Sequence, residues 1–348
     1  MQSRPLSRLM IVTDAWEPQV NGVVRTLQNT RRELAALGVE TLMITPLDFK
    51  TLPCPTYPEI RLSLTTTAAL KRRLIEARPD ALHIATEGPL GWAASKAAKA
   101  LGWRYTTAYH TRFPEYIQAR FGVPLSLSYA VFRRFHAGAH AVLAPTPAVI
   151  AALDERGFSR VVHWSRGVDH SIFKPADPPP LRNPERPVFL YAGRLAVEKN
   201  IEAFLKIDLP GEKWVAGEGP LAEELKRKYP NVRYIGVLPQ TELAALYNAA
   251  DVFVFPSLTD TFGLVMVEAM ACGLPVAAFP VAGPIDVVGH GGAGVLHEDL
   301  RTACIEALKI PRGLALSHAA QFTWARATRQ FYDNLVTVIP PALSKASA

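Results

Sequence analysis

Short runs of apolar and β-branched residues alternate with segments of helical period along the whole chain. The runs predict strands at 9–12, 41–45, 81–85, 105–109, 141–144, 188–192, 213–216, 232–235, 252–255, 275–279 and 294–297. Residues 23–37 carry apolar side chains on one face and precede Gly38, a pattern typical of a helix and its C-terminal stop. Strands that alternate with helices indicate βαβ units, so each half is predicted to be a doubly wound α/β domain.

A proline-rich stretch at 174–187 separates the two halves. Proline fixes φ and lacks an N–H donor, so this stretch is a poor strand or helix and is predicted to be a linker. The expected domains are therefore 1–173 and 188–325. A further helical pattern at 319–338 includes Trp324 and Phe331 and predicts a C-terminal helix, which we place at 326–340.

The net charge of +7 is distributed unevenly over the 348 residues. Residues 1–173 hold 21 Lys and Arg against 13 Asp and Glu, a net charge of +8, whereas the remainder holds 17 against 18, or −1. This asymmetry favours an anionic partner for the first half, either nucleic acid or acidic lipid headgroups, with chance bias as the alternative. The chain is 49% hydrophobic, which excludes a disordered protein.

The cysteines and the lengths of the apolar runs indicate the cellular compartment in which the protein is expected. Cys54, Cys272 and Cys304 lack the spacing of a metal site and are odd in number, which favours a reducing compartment and no structural zinc. The apolar run at 9–12 is too short for a signal peptide, and no run approaches the ~18 residues of a membrane-spanning helix. We expect a cytoplasmic protein that is soluble or lies on a membrane surface.

The candidate functional residues of the first half lie directly after two predicted strands. In open α/β sheets ligands bind beyond the carboxyl ends of the strands. The loop at 13–22 follows the first strand, and Gly22 before the helix would let backbone N–H groups approach a phosphate or a sugar. His110 follows the strand at 105–109, where it can hydrogen-bond a hydroxyl. An ordinary turn and a packing histidine are the respective alternatives.

In the second half, cations follow the strand at 188–192. Arg194 and Lys199 come after Gly193 and before the next helix. An Arg fork and a Lys point charge beside a helix N-terminus suit a diphosphate, whose charge builds up as it departs. The alternative is a pair of solvated surface charges.

Two carboxylates follow the strand at 252–255. Asp260 precedes Gly263, which is predicted to open a helix, and Glu268 lies about one turn inside that helix. Carboxylates bind sugar hydroxyls, and the backbone N–H groups of 262–265 can bind a phosphate. Glu268 has apolar neighbours, so we expect it to need a partner, for which a ligand is a good candidate.

Asp260 and Glu268, continued through 269–276, resemble the acid-x7-Glu signature of family 4 retaining glycosyltransferases, which have the two-Rossmann GT-B fold. Further motifs in the order of that family are Val20-Asn21-Gly22-Val23, His110-Thr111, Arg166-Gly167-Val168-Asp169, Gly193-Arg194, Glu198-Lys199-Asn200 and Gly217-Glu218-Gly219-Pro220. The resemblance spans nearly the whole chain. It implies two Rossmann-like doubly wound domains facing a cleft, an N-terminal acceptor domain, a C-terminal nucleotide-sugar domain, and a last helix that crosses back to the first domain.

The resemblance also implies roles for single residues. Catalytic roles fall to His110, Asp260, Arg194 and Lys199. Contacts with the donor fall to Asn21, Gly22, Arg194, Lys199, Phe262, Gly263, Leu264, Val265 and Glu268. In this family the Arg and Lys hold the diphosphate, the histidine and the first acid contact the sugar, and the second acid contacts the ribose. No metal and no cofactor are implied, and the chain has no Asp-x-Asp pair.

Two positions resemble the glycolipid-synthesising branch of the family. Asp260 stands where most members have Glu, and Asn21-Gly22 stands where many have Gly-Gly. That branch includes glucosyl- and sulfoquinovosyl-diacylglycerol synthases and phosphatidylinositol mannosyltransferases. It implies a hexosyltransferase that uses a nucleoside diphosphate sugar, with a UDP-sugar favoured, and a membrane lipid, with diacylglycerol favoured. A GDP-mannose donor, or a soluble, polysaccharide or lipopolysaccharide acceptor, is the alternative.

The segment 112–135 interleaves aromatic and apolar residues with arginines. This composition predicts a surface that meets an anionic membrane, so we expect peripheral association with the inner face of the membrane. The alternative is a core helix with solvated arginines. A nucleic-acid partner is not expected, because no recognised binding module is present. A periplasmic sugar-binding protein would need a signal peptide, and an epimerase or a phosphorylase on a similar scaffold stays open.

Overall fold

The computed structural model describes residues 6–19, 21–54, 57–177, 185–289 and 291–338. It consists of two compact units: a first unit of Met1–Ser165 with Trp324–Ala348, and a second unit of Arg166–Thr323. The described residues contain no helix that is long and apolar enough to cross a membrane.

The first unit is an α/β layer structure around one parallel sheet. Its strands are β1 (Arg8–Val12), β2 (Glu40–Ile44), β3 (Thr51–Cys54), β4 (Tyr57–Ser63), β5 (Ala81–Ile84), β6 (Thr106–Ala108), β7 (Ala141–Ala144) and β8 (Val161–His163). Its helices are α1 (Gly22–Ala36), α2 (Thr67–Ala77), α3 (Pro89–Ala100), α4 (Phe113–Phe121), α5 (Leu125–His136) and α6 (Pro147–Glu155), with α14 (Trp324–Asp333) added from the end of the chain. The parallel sheet has the order β2-β1-β5-β6-β7-β8.

The second unit repeats this plan. Its strands are β9 (Val188–Ala192), β10 (Glu212–Ala216), β11 (Arg233–Gly236), β12 (Val252–Phe255), β13 (Val276–Ala278) and β14 (Gly294–Leu296). Its helices are α7 (Ile201–Lys206), α8 (Ala222–Lys228), α9 (Gln240–Ala249), α10 (Leu264–Ala271), α11 (Ala282–Val287), α12 (Leu300–Ala307) and α13 (Arg312–Ala319). The strands are parallel in the order β11-β10-β9-β12-β13-β14, which is the order of a Rossmann fold.

The sheet topology determines where ligands bind in each unit. The strand order reverses between β1 and β5 in the first sheet and between β9 and β12 in the second. A crevice forms beyond the carboxyl ends of the strands at such a switch point. The residues that bind ligands are therefore expected in the loops that follow these four strands.

An antiparallel hairpin and one strand were not predicted. The strands β3 and β4 pair with each other outside the main sheet, although Pro53 lies within β3. Proline within a sheet is confined to edge strands and bulges, and both strands of a two-stranded hairpin are edge strands. The short strand β8 closes the first sheet at its edge.

The predicted domain boundary at 173 is wrong by eight residues. Residues 166–173 belong to the second unit, because Val168 bridges to Thr323 and Phe173 packs on Tyr247 at 6.0 Å between ring centroids. The predicted linker also begins too early. The side chain of Asn248 on α9 binds the carbonyl of Lys174 at 2.9 Å and the amide of Ala176 at 2.8 Å. Residues 178–184 of the linker lie outside the described residues.

The predicted C-terminal helix is shorter than its pattern suggested. Ala319 ends α13, and the last helix, α14, covers only Trp324–Asp333. The chain then extends, and Val338 exchanges hydrogen bonds with Asp80 and Arg104 at 2.9 and 2.8 Å. These backbone bonds to the sheet replace further helical turns. Residues 339 and 340 of the predicted helix lie outside the described part of the chain.

The helix α14 belongs to the first unit because it supplies part of that core. Phe331 is fully buried, with its ring centroid 4.7 Å from Trp164 and 4.8 Å from His83. The chain therefore returns to the first unit with its last described helix, as the family resemblance implied.

Candidate active site

The loops that follow β9 and β10 touch through their backbones. A Cβ at Gly217 would lie 2.0 Å from the carbonyl oxygen of Gly193, and a Cβ at Gly219 would lie 2.4 Å from that of Leu195. Gly217 also has a φ of +132°, which side-chain-bearing residues rarely adopt. The glycines at 217 and 219 therefore allow the approach that fixes the loop carrying Arg194. The Arg194 carbonyl accepts a hydrogen bond from the hydroxyl of Tyr191 at 2.8 Å.

The loops that follow β9 and β12 are joined by an ion pair. The Nζ atom of Lys199 lies 2.5 Å from Oδ1 of Asp260. The Asn200 side chain donates to the carbonyl of Pro256 at 3.0 Å, and the Thr259 hydroxyl donates to the carbonyl of Glu198 at 3.2 Å. Lys199 and Asp260, predicted as site residues from separate motifs, thus meet at the switch point of the second sheet.

Asp260 keeps one oxygen available. Its Oδ2 is buried and makes no hydrogen bond to any residue that the structure describes. A buried carboxylate oxygen without a donor is costly, so a hydroxyl donor from a bound ligand would be stabilising there. A Cβ at Gly283 would lie 2.8 Å from the carbonyl oxygen of Asp260, so this glycine allows α11 to approach the loop.

The helix α10 begins beside this pair. Gly263, its N-cap, has a φ of +81°, and a Cβ there would lie 2.8 Å from Met266 and 2.9 Å from Phe255. No side chain caps the helix, so the amides of Leu264 and Val265 and the positive end of the helix dipole are suited to an anion. The Phe262 side chain is buried and packs on Phe322 at 5.9 Å, so it stabilises the loop.

Glu268 is buried on α10 at 4% exposure. Its Oε2 accepts a hydrogen bond from the Tyr247 hydroxyl on α9, at 3.4 Å. The expectation that this acid needs a partner is correct, but the protein itself supplies one. A carboxylate accepts several hydrogen bonds, so Glu268 can bind a ligand hydroxyl in addition to the hydroxyl of Tyr247.

The switch point of the first sheet is organised by Asp14, which sequence reasoning did not single out. Its carboxylate accepts hydrogen bonds from the amides of Leu90 and Gly91 at 2.8 and 3.1 Å and from the Thr86 hydroxyl at 2.9 Å. Asp14 thus caps α3 in place of Gly88, the local N-cap residue. Burial raises the pKa of this carboxyl above its ordinary value, although the hydrogen bonds from Leu90, Thr86 and Gly91 oppose the shift. The only sequence signal was its position directly after the first strand.

Asn21 and Gly22 lie at the start of α1. The Asn21 Oδ1 accepts hydrogen bonds from the amides of Val23 and Val24, each at 3.0 Å, so the residue is a side-chain N-cap. Gly22 is the first helical residue. The capping places the start of α1 at the carboxyl end of β1, and Val20 of this motif lies outside the described residues.

His110 follows β6, one strand away from the switch point. It is half-buried, and its ring packs edge-on against Trp164 at 5.5 Å. A second histidine that the sequence did not point to, His136, is fully buried in the same unit. Its Nδ1 contacts the Thr107 hydroxyl at 2.8 Å and its Nε2 contacts Glu87 at 3.2 Å.

The predicted site residues therefore fall into two groups. Asn21, Gly22 and His110 are in the first unit, and the others are in the second. Within the second unit a cationic loop, a carboxylate and an uncapped helix N-terminus converge beyond adjacent strand ends. This arrangement can bind a diphosphate and a polyol, and with the doubly wound fold it is that of a nucleotide-sugar-dependent glycosyltransferase.

The chain belongs to the family 4 glycosyltransferases. Residues 20–172 match the family model described as "Glycosyltransferase Family 4", and residues 186–309 match that of "Glycosyl transferases group 1". The family membership predicted from the motifs is thereby confirmed, as is the assignment as an enzyme.

Several characterised relatives match most of the chain. A GDP-mannose-dependent alpha-mannosyltransferase of Mycobacterium tuberculosis is 31% identical over 83% of both chains. The sulfoquinovosyl transferase SQD2 of Arabidopsis thaliana is 29% identical over 84% of this chain, which spans only 63% of the plant protein. An alpha-monoglucosyldiacylglycerol synthase of Streptococcus pneumoniae is 26% identical over 86% of this chain and 78% of its own.

Solved structures confirm the predicted GT-B fold. Sucrose-phosphate synthase from Thermosynechococcus elongatus superposes with a TM-score of 0.74 at 22% identity, covering 94% of this chain and 98% of that one. Anabaena HepE in complex with UDP-glucose superposes with a TM-score of 0.68 at 17% identity, with the same coverage. At such identities the likeness concerns the fold.

Proposed function

We propose that the protein transfers a hexose from a nucleoside diphosphate sugar, with a UDP-sugar favoured, to a hydroxyl of a membrane lipid, with diacylglycerol favoured. The anomeric configuration is retained. The observation that carries the lipid acceptor is an exposed apolar surface bordered by arginines on α4 and α5. The donor half of the proposal rests on the ion pair and the helix N-terminus in the second unit.

In the proposed reaction the C1–O bond to the diphosphate breaks while C1 forms a bond to the acceptor oxygen on the same face. The departing phosphate takes the proton of the acceptor hydroxyl. Arg194, Lys199 and the N-terminus of α10 neutralise the charge that grows on the diphosphate, which can lower the barrier by several kcal/mol. Asp260 binds hydroxyls of the transferred sugar, and Glu268 and the first-unit residues Asn21, Gly22 and His110 take the donor contacts of the family pattern.

The surface that we assign to the membrane is formed by Phe113, Phe121, Leu127 and Val131, and we call it the interfacial face. These side chains are 37, 62, 60 and 49% exposed. Leu127 and Val131 are four residues apart on α5 and therefore share one face of that helix, and apolar side chains exposed together are expected at interaction sites. In contrast, Tyr129 and Phe135 of the same segment are buried, so a core role holds for those two positions.

The charge of the first unit supports the same surface. Counted by structural unit, the first unit has 23 Lys and Arg against 13 Asp and Glu, a net charge of +10, and the second has 15 against 18, or −3. The asymmetry is larger than the sequence halves suggested, because the C-terminal segment 324–348 adds Arg326, Arg329 and Lys345 against Asp333 to the first unit. Apolar side chains next to arginines favour an anionic membrane surface, so we propose peripheral association with the inner face of the membrane.

One relative acts on a lipid by name, the alpha-monoglucosyldiacylglycerol synthase of Streptococcus pneumoniae, and it supports the lipid acceptor. A second candidate is supported by three mycobacterial and corynebacterial mannosyltransferases, each at 30–31% identity. In that candidate the donor is GDP-mannose and the proposed chemistry is unchanged.

The test is a screen of UDP-hexoses and GDP-mannose against diacylglycerol vesicles and soluble sugars, read by mass spectrometry. We expect one labelled glycolipid and no soluble product. Product from a soluble sugar alone contradicts the lipid acceptor. A changed sugar without any acceptor indicates an epimerase, and a dependence on free phosphate indicates a phosphorylase.

A matched pair of variants tests the interfacial face. We expect Phe121→Ser with Leu127→Ser to lose transfer to vesicle lipid while slow hydrolysis of the donor is retained, because the donor residues are untouched. The control is Leu47→Ser, which changes a side chain of the same unit that is 67% exposed and away from α4 and α5. Equal lipid transfer by the double variant and the control contradicts the proposal.

A further inference from the structure

Asn200 belongs to the Glu198-Lys199-Asn200 motif, but neither the donor contacts nor the proposed reaction gives it a role. It directly follows Lys199 and lies between the short 3₁₀ turn Val197–Lys199 and α7. Its backbone has a φ of +51° and a ψ of +31°, which is the left-handed conformation. Residues other than glycine rarely adopt this conformation, and such outliers concentrate at functional sites. A contact that stabilises the conformation is therefore expected.

The ordinary role of an Asn at the start of a helix does not account for Asn200. An N-cap Asn has an extended backbone, and its side-chain oxygen accepts a hydrogen bond from one of the first amides of the helix. Asn21 shows this arrangement at α1, with a φ of −150°. Asn200 occupies the N-cap position of α7, but its side chain makes no capping hydrogen bond. The side chain of Asn200 is used for a different contact.

That contact joins the loop after β9 to the loop after β12. The Nδ2 atom of Asn200 donates to the carbonyl oxygen of Pro256 at 3.0 Å, although the two residues are 56 positions apart in the chain. In the opposite direction, the hydroxyl of Thr259 donates to the carbonyl oxygen of Glu198 at 3.2 Å. Both chain neighbours of Lys199 are thereby bonded to the loop after β12.

These two hydrogen bonds differ from the ion pair that joins the same loops. Lys199 and Asp260 bind each other directly. In the proposed reaction the lysine binds the diphosphate and the carboxylate binds sugar hydroxyls, so donor binding weakens their ion pair. The hydrogen bonds of Asn200 and Thr259 end on backbone carbonyls, which take no part in the proposed donor contacts. They can therefore hold the two loops together when the ion pair does not.

We propose that Asn200 is a positioning residue, which keeps Lys199 at a fixed distance from Asp260 while the donor is bound. Stabilisation of a leaving group depends on cations that are already placed where the charge develops. A lysine on a loop that can move away stabilises the departing diphosphate less. The inference rests on the proposed function, because it assumes that the diphosphate binds Lys199. Asn200 acts through Lys199 and needs no contact with a substrate.

Two substitutions separate the side chain from the backbone. Asn200→Gly keeps the left-handed conformation, because glycine adopts positive φ freely, but it removes the amide. Asn200→Asp keeps the shape of the side chain and tolerates the left-handed conformation, but it cannot donate to Pro256. We expect kcat to fall about tenfold in each variant, while KM for the donor stays within about twofold. Wild-type kcat in Asn200→Gly means that only the backbone conformation matters, which overturns the proposal.

A double-mutant cycle with Lys199 distinguishes positioning from general support of the fold. Adding Asn200→Gly to Lys199→Met should lower kcat by less than about twofold, because the group that Asn200 positions is already absent. A further tenfold loss in that background shows that the two residues act independently, and it also overturns the proposal. Release of nucleotide from the donor measures the wild type, both single variants and the double variant.

The matched control is Asn334→Ala. The amide of Asn334 also donates to a backbone carbonyl, that of Gln330 at 2.8 Å, but it lies after α14 in the first unit. We expect the control to keep the wild-type kcat, and a loss equal to that of the Asn200 variants contradicts the positioning role. The thermal unfolding temperature of each variant should lie within about 4 °C of the wild type, so that the loss of kcat is not a loss of folded protein.

The proposed function and the positioning role can fail separately. Nucleotide release is measured with whichever acceptor the screen identifies. Transfer to a soluble sugar alone therefore contradicts the lipid acceptor and leaves the comparison of the Asn200 variants intact. Glycolipid formation with wild-type kcat in Asn200→Gly removes the positioning role alone.

Discussion

The Nζ atom of Lys199 and the Oδ1 atom of Asp260 lie 2.5 Å apart, although the two residues are 61 positions apart in the chain. The pair bridges the ends of two adjacent strands, β9 and β12. Each group neutralises the other, so both can stay charged in a partly buried position. A donor would bring a diphosphate for the lysine and hydroxyls for the carboxylate, so binding exchanges one set of partners for another.

We expect Lys199→Met to reduce kcat about 10²-fold, because the growing charge on the leaving diphosphate loses a cation. Steady-state release of nucleotide measures the effect. Lys206→Met is the control, since Lys206 is an exposed lysine of α7 that pairs with Glu202 at 3.6 Å. Similar losses in the two variants would show that the effect is not specific to Lys199.

We expect Asp260→Asn to lose most turnover while the thermal unfolding temperature changes little. The amide keeps the shape of the side chain, but it removes the charge that pairs with Lys199 and the acceptor oxygen Oδ2. Asp260→Glu restores the charge with a longer reach, so it should recover part of the activity and change the preference among donor sugars. Wild-type activity in Asp260→Asn would remove this residue from the site.

We expect Asp14→Ala to lower the free energy of unfolding by about 1–3 kcal/mol, because the first amides of α3 lose their cap. Thr146→Ala is the comparison variant, because Thr146 is itself the N-cap residue of α6. Its hydroxyl oxygen accepts a hydrogen bond from the amide of Val149 at 3.3 Å. Denaturant unfolding measures both. A loss at Asp14 no larger than a few tenths of a kcal/mol would show that the remote cap is dispensable.

The raised pKa of Asp14 predicts a pH dependence. The folded protein binds this proton at a higher pH than the unfolded chain, whose carboxyl has its ordinary value of 3.8. The stability that the raised pKa of Asp14 contributes is therefore fully present below pH 3.8, the pKa of the unfolded chain. It is lost as the pH rises through the pKa of Asp14 in the folded protein. The difference in unfolding free energy between wild type and Asp14→Asn should fall as the pH rises through this window. A difference that is constant with pH would contradict the shift.

We expect Gly217→Ala to destabilise the second unit by at least about 2 kcal/mol and to impair turnover. The added Cβ would collide with the backbone of Gly193, and the φ of +132° is strained for alanine. Gly313→Ala is the control, because nothing lies within 4 Å of a Cβ at that helical position. Equal thermal unfolding of the two variants would contradict the close approach.

Much of the fold was predictable because parallel strands that are buried on both faces form continuous apolar runs. The strands β7, β9 and β12 have the predicted bounds, and the other predicted strands differ by a single residue at one end or at both ends. The spacing around Gly263 also predicted the N-terminus of α10 beside Asp260. Local pattern was sufficient at these places.

The pattern failed where a distant partner decides the structure. Residues 334–338 have a helical pattern of apolar positions, but their backbone pairs with the sheet near Asp80. Residues 166–173 precede the proline-rich stretch, but they pack on the second unit through Val168 and Phe173. A single sequence contains no signal for such pairings.

The amino-acid pattern was enough to predict the two doubly wound units, the family resemblance, and the candidate residues that follow strand ends, including Lys199, Asp260 and Gly263. Three contacts became visible only in the folded molecule: the pairing of Lys199 with Asp260, the capping of α3 by Asp14, and the hydrogen bond from Tyr247 to Glu268. The physical reason is that periodicity and turn chemistry act between neighbours in the chain. Hydrogen bonds, ion pairs and cavities depend on contacts between residues that only folding brings together.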